Sequence, residues 1–293
     1  MSKISQLFEN KVHLGHRTSI GSPDMEPYIF GVRGNIHIID LQETIKKLDE
    51  ALLAIRQVTL NEGKVVFVGT KYLAQNIVVE QAKRCQMYYV NYRWLGGMLT
   101  NHKTIRQSVK KLIQLESAYE KTKFEYMVKK ERLKVLREMT RLEDNFSGVK
   151  TMKGLPDLLV VIDVGYESIA VQEAKKLGIP VIGLVDTNNT PSHVTYPIPA
   201  NDDASQSIEY FCKVFADEIL MAQSEVAARK KSMSDKKPSV TYREASAEEA
   251  SAAPAESPKA VLKQSSASKD SKTVVAKSPK APKKPAAASK SDD

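Results

Sequence analysis

The hydrophobic positions fall into two rhythms. Short continuous apolar runs recur at Ile36–Ile39, Val65–Val68, Met87–Val90, Leu158–Ile162 and Val181–Val185, with a further one at Ile198. Between them lie stretches with helical spacing: Leu41, Ile45, Leu48, Leu52 and Ile55 recur within 41–61, and Gly63 ends that segment. Gly69-Thr70 turns the chain into a helix through Ala82; others span Ser168–Leu177, stopped by Gly178, and roughly Ala204–Ala228. Continuous apolar strands separated by amphipathic helices predict an α/β fold. Its core is a Rossmann-like, doubly wound parallel sheet covered on both faces.

Residues 91–153 break this alternation, because no strand pattern lies between Val90 and Leu158. Ile105, Val109, Leu112, Ile113 and Tyr119 recur at helical spacing, as do Val128, Val135, Leu136, Met139, Leu142 and Phe146. Thr122-Lys123 lies between the two sets and Gly148 fits a helix terminus. The pattern predicts an inserted hairpin of two antiparallel helices whose narrow seam resembles a coiled coil. The expected organisation is therefore 1–92 plus 154–225 as the sheet domain, 93–153 as the hairpin, and 226–293 as a tail. The tail is rich in Lys, Ala, Pro and Ser and has no aromatic residue after Tyr242. Such a composition buries too little apolar surface to offset its ordering entropy, so disorder is expected there.

Charge sharpens the picture. The net charge of +9 over 293 residues is unevenly placed: 93–153 holds 15 Lys and Arg against 7 Asp and Glu, and 226–293 holds 15 against 8. The remainder is acidic, with 14 against 20. Segregation of this kind points to a polyanion held at particular places. Acids such as Glu116 and Glu138 could pair locally, so a merely solvated face is the competing reading of the hairpin. No apolar run is long enough to span a membrane, and residues 1–6 lack the apolar stretch of a signal peptide. Cys85 and Cys212 both fall in helical apolar patterns and are expected as reduced core thiols. A cytoplasmic setting is the expectation.

A doubly wound sheet invites a nucleotide enzyme, and the fingerprints for one are missing. Asp40-Leu41-Gln42-Glu43 stands where a dinucleotide site would carry glycines. Gly69-Thr70-Lys71 is a fragment of a phosphate loop, able at most to hold one anion at a helix start. Asp40, Asp163 and Asp186 each follow a strand; they could converge on the ligand crevice or serve as turn and cap residues. His13 and His16 could meet Asp186, Asp202 and Asp203 in a metal site if the N-terminus crosses the strand ends, an approach the sequence does not display. His37 is expected as a core histidine with its hydrogen bonds met. No cofactor is expected. The stretch Asn91-Tyr92-Arg93-Trp94-Leu95-Gly96-Gly97-Met98-Leu99-Thr100-Asn101 joins the only tryptophan, an arginine and two glycines. Aromatic and guanidinium planes can stack on bases, and the same residues could equally pack a hinge.

Arg93–Asn101 resembles the signature of the small-subunit ribosomal protein two family of bacteria. Val12-His13-Leu14-Gly15-His16, Pro27–Gly31 followed by Asn35–Leu41, Leu155-Pro156-Asp157, Gly178-Ile179-Pro180, Val185–Asn188 and Ile198–Ala204 are similar to its other blocks, in order, across residues 4 to about 225. The resemblance implies a non-catalytic protein between head and body of the small subunit. There it would bind small-subunit rRNA and neighbouring ribosomal proteins, including the large flexible RNA-binding one. With the charge pattern it makes His16, Arg17, Arg33, Arg93, Trp94, Asn101, Lys103, Arg106, Lys110, Lys111, Lys129 and Lys130 the candidate RNA-binding residues. Two departures matter: Asp24 stands where the family carries lysine, and His102 where an aromatic commonly follows the signature. The basic tail has no counterpart in the typical member.

Three readings follow: a ribosomal scaffold, a cytoplasmic nucleotide- or sugar-handling enzyme on the same fold, and a general nucleic-acid binder working through its tail. Missing phosphate fingerprints disfavour the enzyme. Signature residues lie in the body, which disfavours the tail. Neither a membrane nor a small-molecule substrate is expected as partner.

Overall fold

A computed structural model describes residues 2–235. After a short helix α1 (Lys3–Glu9) come three strands, β1 (Leu14–Arg17), β2 (Ile29–Arg33) and β3 (Ile36–Ile39), and the long helix α2 (Leu41–Leu60). Then follow β4 (Val65–Val68), α3 (Tyr72–Arg84), β5 (Tyr88–Val90), α4 (His102–Thr122) and α5 (Lys129–Phe146). The last of the described elements are β6 (Leu158–Val161), α6 (Ser168–Leu177), β7 (Val181–Val185), β8 (Tyr196–Pro199) and α7 (Ser205–Asp235).

Strands β4 to β8 form the expected parallel sheet in the order β5-β4-β6-β7-β8. Side chains alternate across it, as strand geometry requires. Val65, Phe67, Leu158 and Val160 enter one core with α2, α3 and α7; Val66, Val68, Leu159 and Val161 enter the other with α6 and the bases of α4 and α5. Helix α7 packs across both α2 and α3. Cys85 and Cys212 are free and buried in the first core, where burial pushes their thiols up to about 11 and about 12.

Three expectations change. Ile36–Ile39 does not open the parallel sheet; it is the middle strand of a separate antiparallel sheet, β1-β3-β2. A short apolar run cannot say which sheet it joins, and only Ile39 of this one is buried. The Gly34-Asn35 turn between β2 and β3 has positive φ at both residues, 60° and 62°, the hairpin geometry that glycine and asparagine accept most readily. His37, in β3, is half-buried rather than in the core, and its Nδ1 has no partner. Finally, α7 continues to Asp235, past the expected tail boundary at 226; the rest of the tail lies outside the described residues.

The inserted segment forms two helices in contact. Its apolar seam is buried near the sheet by Val109, Leu112, Leu142 and Phe146 and at the far turn by Phe124, with Leu115 and Met139 half-buried between, while Ile113, Tyr119 and Leu133 stay exposed. The two helices pack on one another, and the coiled-coil seam expected between them is covered only in part, because the apolar stripe is wider than the contact. Gly148 lets α5 return to the sheet, since a Cβ there would lie 2.1 Å from the Tyr89 carbonyl oxygen.

Candidate nucleic-acid interface

The signature turn leaves the C-terminal end of β5 and enters α4 at Asn101, the N-cap residue. One buried carboxylate organises it. Glu173, on α6 and 5% exposed, accepts the backbone N–H groups of Gly97 at 2.6 Å, Leu99 at 3.0 Å and Thr100 at 3.0 Å. The Thr100 hydroxyl at 3.2 Å and the Trp94 indole N–H at 3.4 Å complete the set. Burial alone would raise the pKa of Glu173; the donated N–H groups outweigh it and hold the carboxyl below its ordinary value. Gly97 takes φ of +87°, which explains a glycine at this point of the turn.

This arrangement sorts the expected RNA-binding residues. Trp94 is 7% exposed and lies in the second core, so it anchors the turn and offers no open ring to a base. Arg93, beside it, is exposed and makes no hydrogen bond or ion pair among the described residues. Arg106 donates to the Met152 carbonyl at 2.6 Å, tying α4 to the segment before β6. Lys111 is paired with Glu138 across the two helices. Lys103, Lys110, Lys129 and Lys130 are exposed and unpaired among the described residues. Asn101 accepts the Thr104 hydroxyl at 2.9 Å. In the small sheet, Arg17 and Arg33 sit opposite Ile36 from either side and are both exposed, so they share one row.

His16 belongs elsewhere. Its Nδ1 lies 3.2 Å from Asp186 and its Nε2 3.2 Å from Asp203. The Asp186 contact, then the charges of Asp203 and Asp202, raise its pKa against the effect of burial. Thus the N-terminal strand does cross the strand ends, and the approach hidden in the sequence is made. Ring nitrogen and carboxylate oxygens of His16, Asp186 and Asp202 lie within 4.8 Å of one another, a donor set that suits zinc or a similar divalent ion. Asp202 is 1% exposed with Oδ2 unpartnered. Burial, then the nearby Asp163 and Asp186, push its carboxyl up to about 7.

Lys71 fills the adjacent space, with Nζ 2.9 Å from Asp202, 2.5 Å from Asp203 and 3.3 Å from Asp163. Burial would lower its pKa, but hydrogen bonds to Asp203 and Asp202 raise it well above the usual lysine value. The Thr70 N–H is donated to Glu167 at 2.7 Å. The anion hold expected of Gly69-Thr70-Lys71 is therefore already taken by the protein's own carboxylates. Asp163 accepts from the Tyr166 N–H at 3.0 Å and Asp186 from that of Thr187 at 2.5 Å, both as turn residues. Asp40 lies on the other sheet and caps α2 through the Gln42 N–H at 2.8 Å. The residues missed in the sequence are Glu167 and Glu173: each reads there as one more polar residue at the start or on the face of a helix.

Residues 7–222 match a family model described as Ribosomal protein S2. The small ribosomal subunit protein uS2 of Coxiella burnetii (strain RSA 493 / Nine Mile phase I) is 50% identical over 228 residues, covering 78% of this chain and 73% of the relative. The protein of that name from Francisella philomiragia is 48% identical over 223 residues, covering 76% and 93%. That from Rhodospirillum centenum is 48% identical over 226 residues, covering 77% and 87%. On a family match over most of its length and relatives at about half identity, the chain belongs to the ribosomal protein S2 family and is a structural constituent of the small ribosomal subunit.

Proposed function

We propose that the hairpin and the Arg93–Asn101 turn form the surface that grips small-subunit rRNA, the hairpin by charge and the turn by position. The observation that carries this reading is the set of exposed cations at Arg93, Lys103, Lys110, Lys129 and Lys130, unpaired among the described residues, in a segment with 15 basic against 7 acidic residues. With so few acids in the segment most of its cations have none to pair with, which favours a polyanionic partner over a merely solvated face. Arg17 and Arg33 add a second contact from the small sheet. The same reading includes neighbouring small-subunit proteins, the large flexible RNA-binding one among them, and no turnover: the carboxylates at the strand ends are occupied with Lys71, His16 and backbone N–H groups.

A salt titration of rRNA binding tests it. If about four to six phosphates are neutralised, log affinity falls with log salt at a slope of roughly −3 to −5. Reversing Lys110, Lys129 and Lys130 to Glu flattens that slope and keeps the protein out of assembled subunits. Arg93→Ala weakens specific rRNA binding and leaves binding to an unrelated polyanion nearly unchanged, because one placed guanidinium fixes register more than bulk charge. A wild-type slope in the triple reversal would sink the hairpin as the gripping surface. Nucleotide hydrolysis by the purified protein, abolished in Asp163→Asn, would instead establish an enzyme.

A further inference from the structure

The parallel sheet reverses its winding between β4 and β6, since β5 lies on one side of β4 and β6 to β8 on the other. Crevices at such a reversal are where this architecture seats ligands. Here the segments following β4, β5 and β6 bring Thr70, Tyr92, Arg93, Trp94, Tyr166 and Glu167 around one cleft of about 470 Å³, within the range of small-ligand sites. Its walls are fixed from behind. Glu167, 3% exposed, holds the Thr70 N–H, and Glu173 holds the turn that carries Trp94. What remains open to a ligand is aromatic and cationic, with one aliphatic edge at Ile169: Tyr92 is 55% exposed, Tyr166 64% and Ile169 53%, and the Arg93 guanidinium is unpaired among the described residues. Tyr92 and Arg93 also line a second cleft of about 470 Å³, on the hairpin side, together with Arg141. They form a ridge between the two.

We propose that the first cleft takes one unpaired nucleobase of the rRNA, stacked on the tyrosine rings with its phosphate on Arg93, the strand then crossing the ridge toward Arg141. This rests on the rRNA-binding reading above and adds a base-binding site to it. Every base offers a π-face to an aromatic ring, and guanidinium matches phosphate. A free nucleotide is a poorer fit, because the Thr70 N–H and the Lys71 ammonium that would cradle its phosphates are engaged. An acidic protein segment would offer Arg93 a carboxylate, but the exposed Lys110, Lys129 and Lys130 of the adjoining hairpin favour a repeating polyanion.

The test uses the full-length protein and a single-stranded RNA of about twelve nucleotides with one 2-aminopurine, whose fluorescence falls when it stacks. The expected result is a quench on binding, with an RNA abasic at that position binding about tenfold more weakly. Tyr166→Leu and Tyr92→Leu lose the quench and about tenfold in affinity with the salt slope unchanged; Tyr166→Phe, which keeps the ring, retains both. The Lys110, Lys129 and Lys130 reversal lowers affinity and flattens the slope, yet keeps the quench at saturation. Equal binding of the base-bearing and abasic RNAs, or a quench that survives both leucine variants, overturns the cleft while leaving the hairpin reading intact. If the lysine reversal also changes nothing, both fail. Tight binding of free AMP that is indifferent to the lysine reversal would make this a small-molecule site and overturn the RNA assignment.

Discussion

Glu173 shows how much one side chain can organise. A carboxylate buried in an apolar core is costly unless its oxygens are met, and here five donors from the signature turn meet them. Gln in its place turns an NH₂ group toward backbone N–H donors, so Glu173→Gln should cost about 3 kcal/mol at neutral pH. The sign of the pH dependence follows from the lowered pKa in the folded state. Stabilisation by the carboxylate is fully present above the unfolded value near 4.5 and is lost as pH falls through the lowered folded value. Denaturant unfolding of both proteins across the acid range should therefore show the gap closing as pH drops below about 4.5. A gap independent of pH would mean that packing, not charge, makes Glu173 matter. Nothing in the sequence marks this residue, because its partners lie more than seventy positions away and are backbone groups without side-chain signature. Asp40 was legible for the opposite reason: its partner is the N–H two residues on.

Elements were legible in proportion to how completely they are buried. The strands Val65–Val68, Leu158–Val161 and Val181–Val185 are buried at every position, and each reads as an unbroken apolar run. The strand Leu14–Arg17 has no buried residue and carries Gly15 and His16, so its pattern says nothing of a sheet. The Gly34-Asn35 turn was a signal present in the chain and pointed to the small antiparallel sheet. The hairpin was legible as two helices, while which edge of its apolar stripe is covered depends on how the pair packs, which no periodicity reveals. Its return to the sheet yields a test at this scale. Gly148→Ala places a methyl against the Tyr89 backbone and ring, at 2.1 and 2.5 Å, and overpacking of this kind costs typically about 1–3 kcal/mol. The expected outcome is a lowered thermal midpoint together with weaker rRNA binding, as the hairpin shifts on its base. An unchanged midpoint would show that the 3-10 turn Ser147–Val149 can move aside.

At the scale of the molecule, the described cores draw on residues from Leu7 to Ala222. Deleting residues 236–293 should therefore leave the unfolding midpoint of the body unchanged and its entry into the small subunit intact, while removing part of the non-specific attraction to RNA that excess positive charge provides. Loss of cooperative unfolding in that truncated chain would show that stabilising contacts lie beyond Asp235.

The packing of α7 on α2 and α3 has a consequence for how the chain is made. Synthesis runs from the N-terminus, and the helix that seals the first core is the last of the described elements to emerge. Until it does, Leu48, Ile55, Val78 and Ala82 have no lid formed by Ile208, Phe211, Phe215 and Ile219. The β4–β6 pairing, too, must wait for the whole insertion to leave the exit tunnel. Contacts so distant along the chain slow folding and keep apolar surface open meanwhile. A nascent chain stalled after Asp203 should thus be digested readily by protease and held by chaperones, and one stalled once Ala222 has cleared the tunnel should resist. Survival of the newborn chain is thus tied to the emergence of α7.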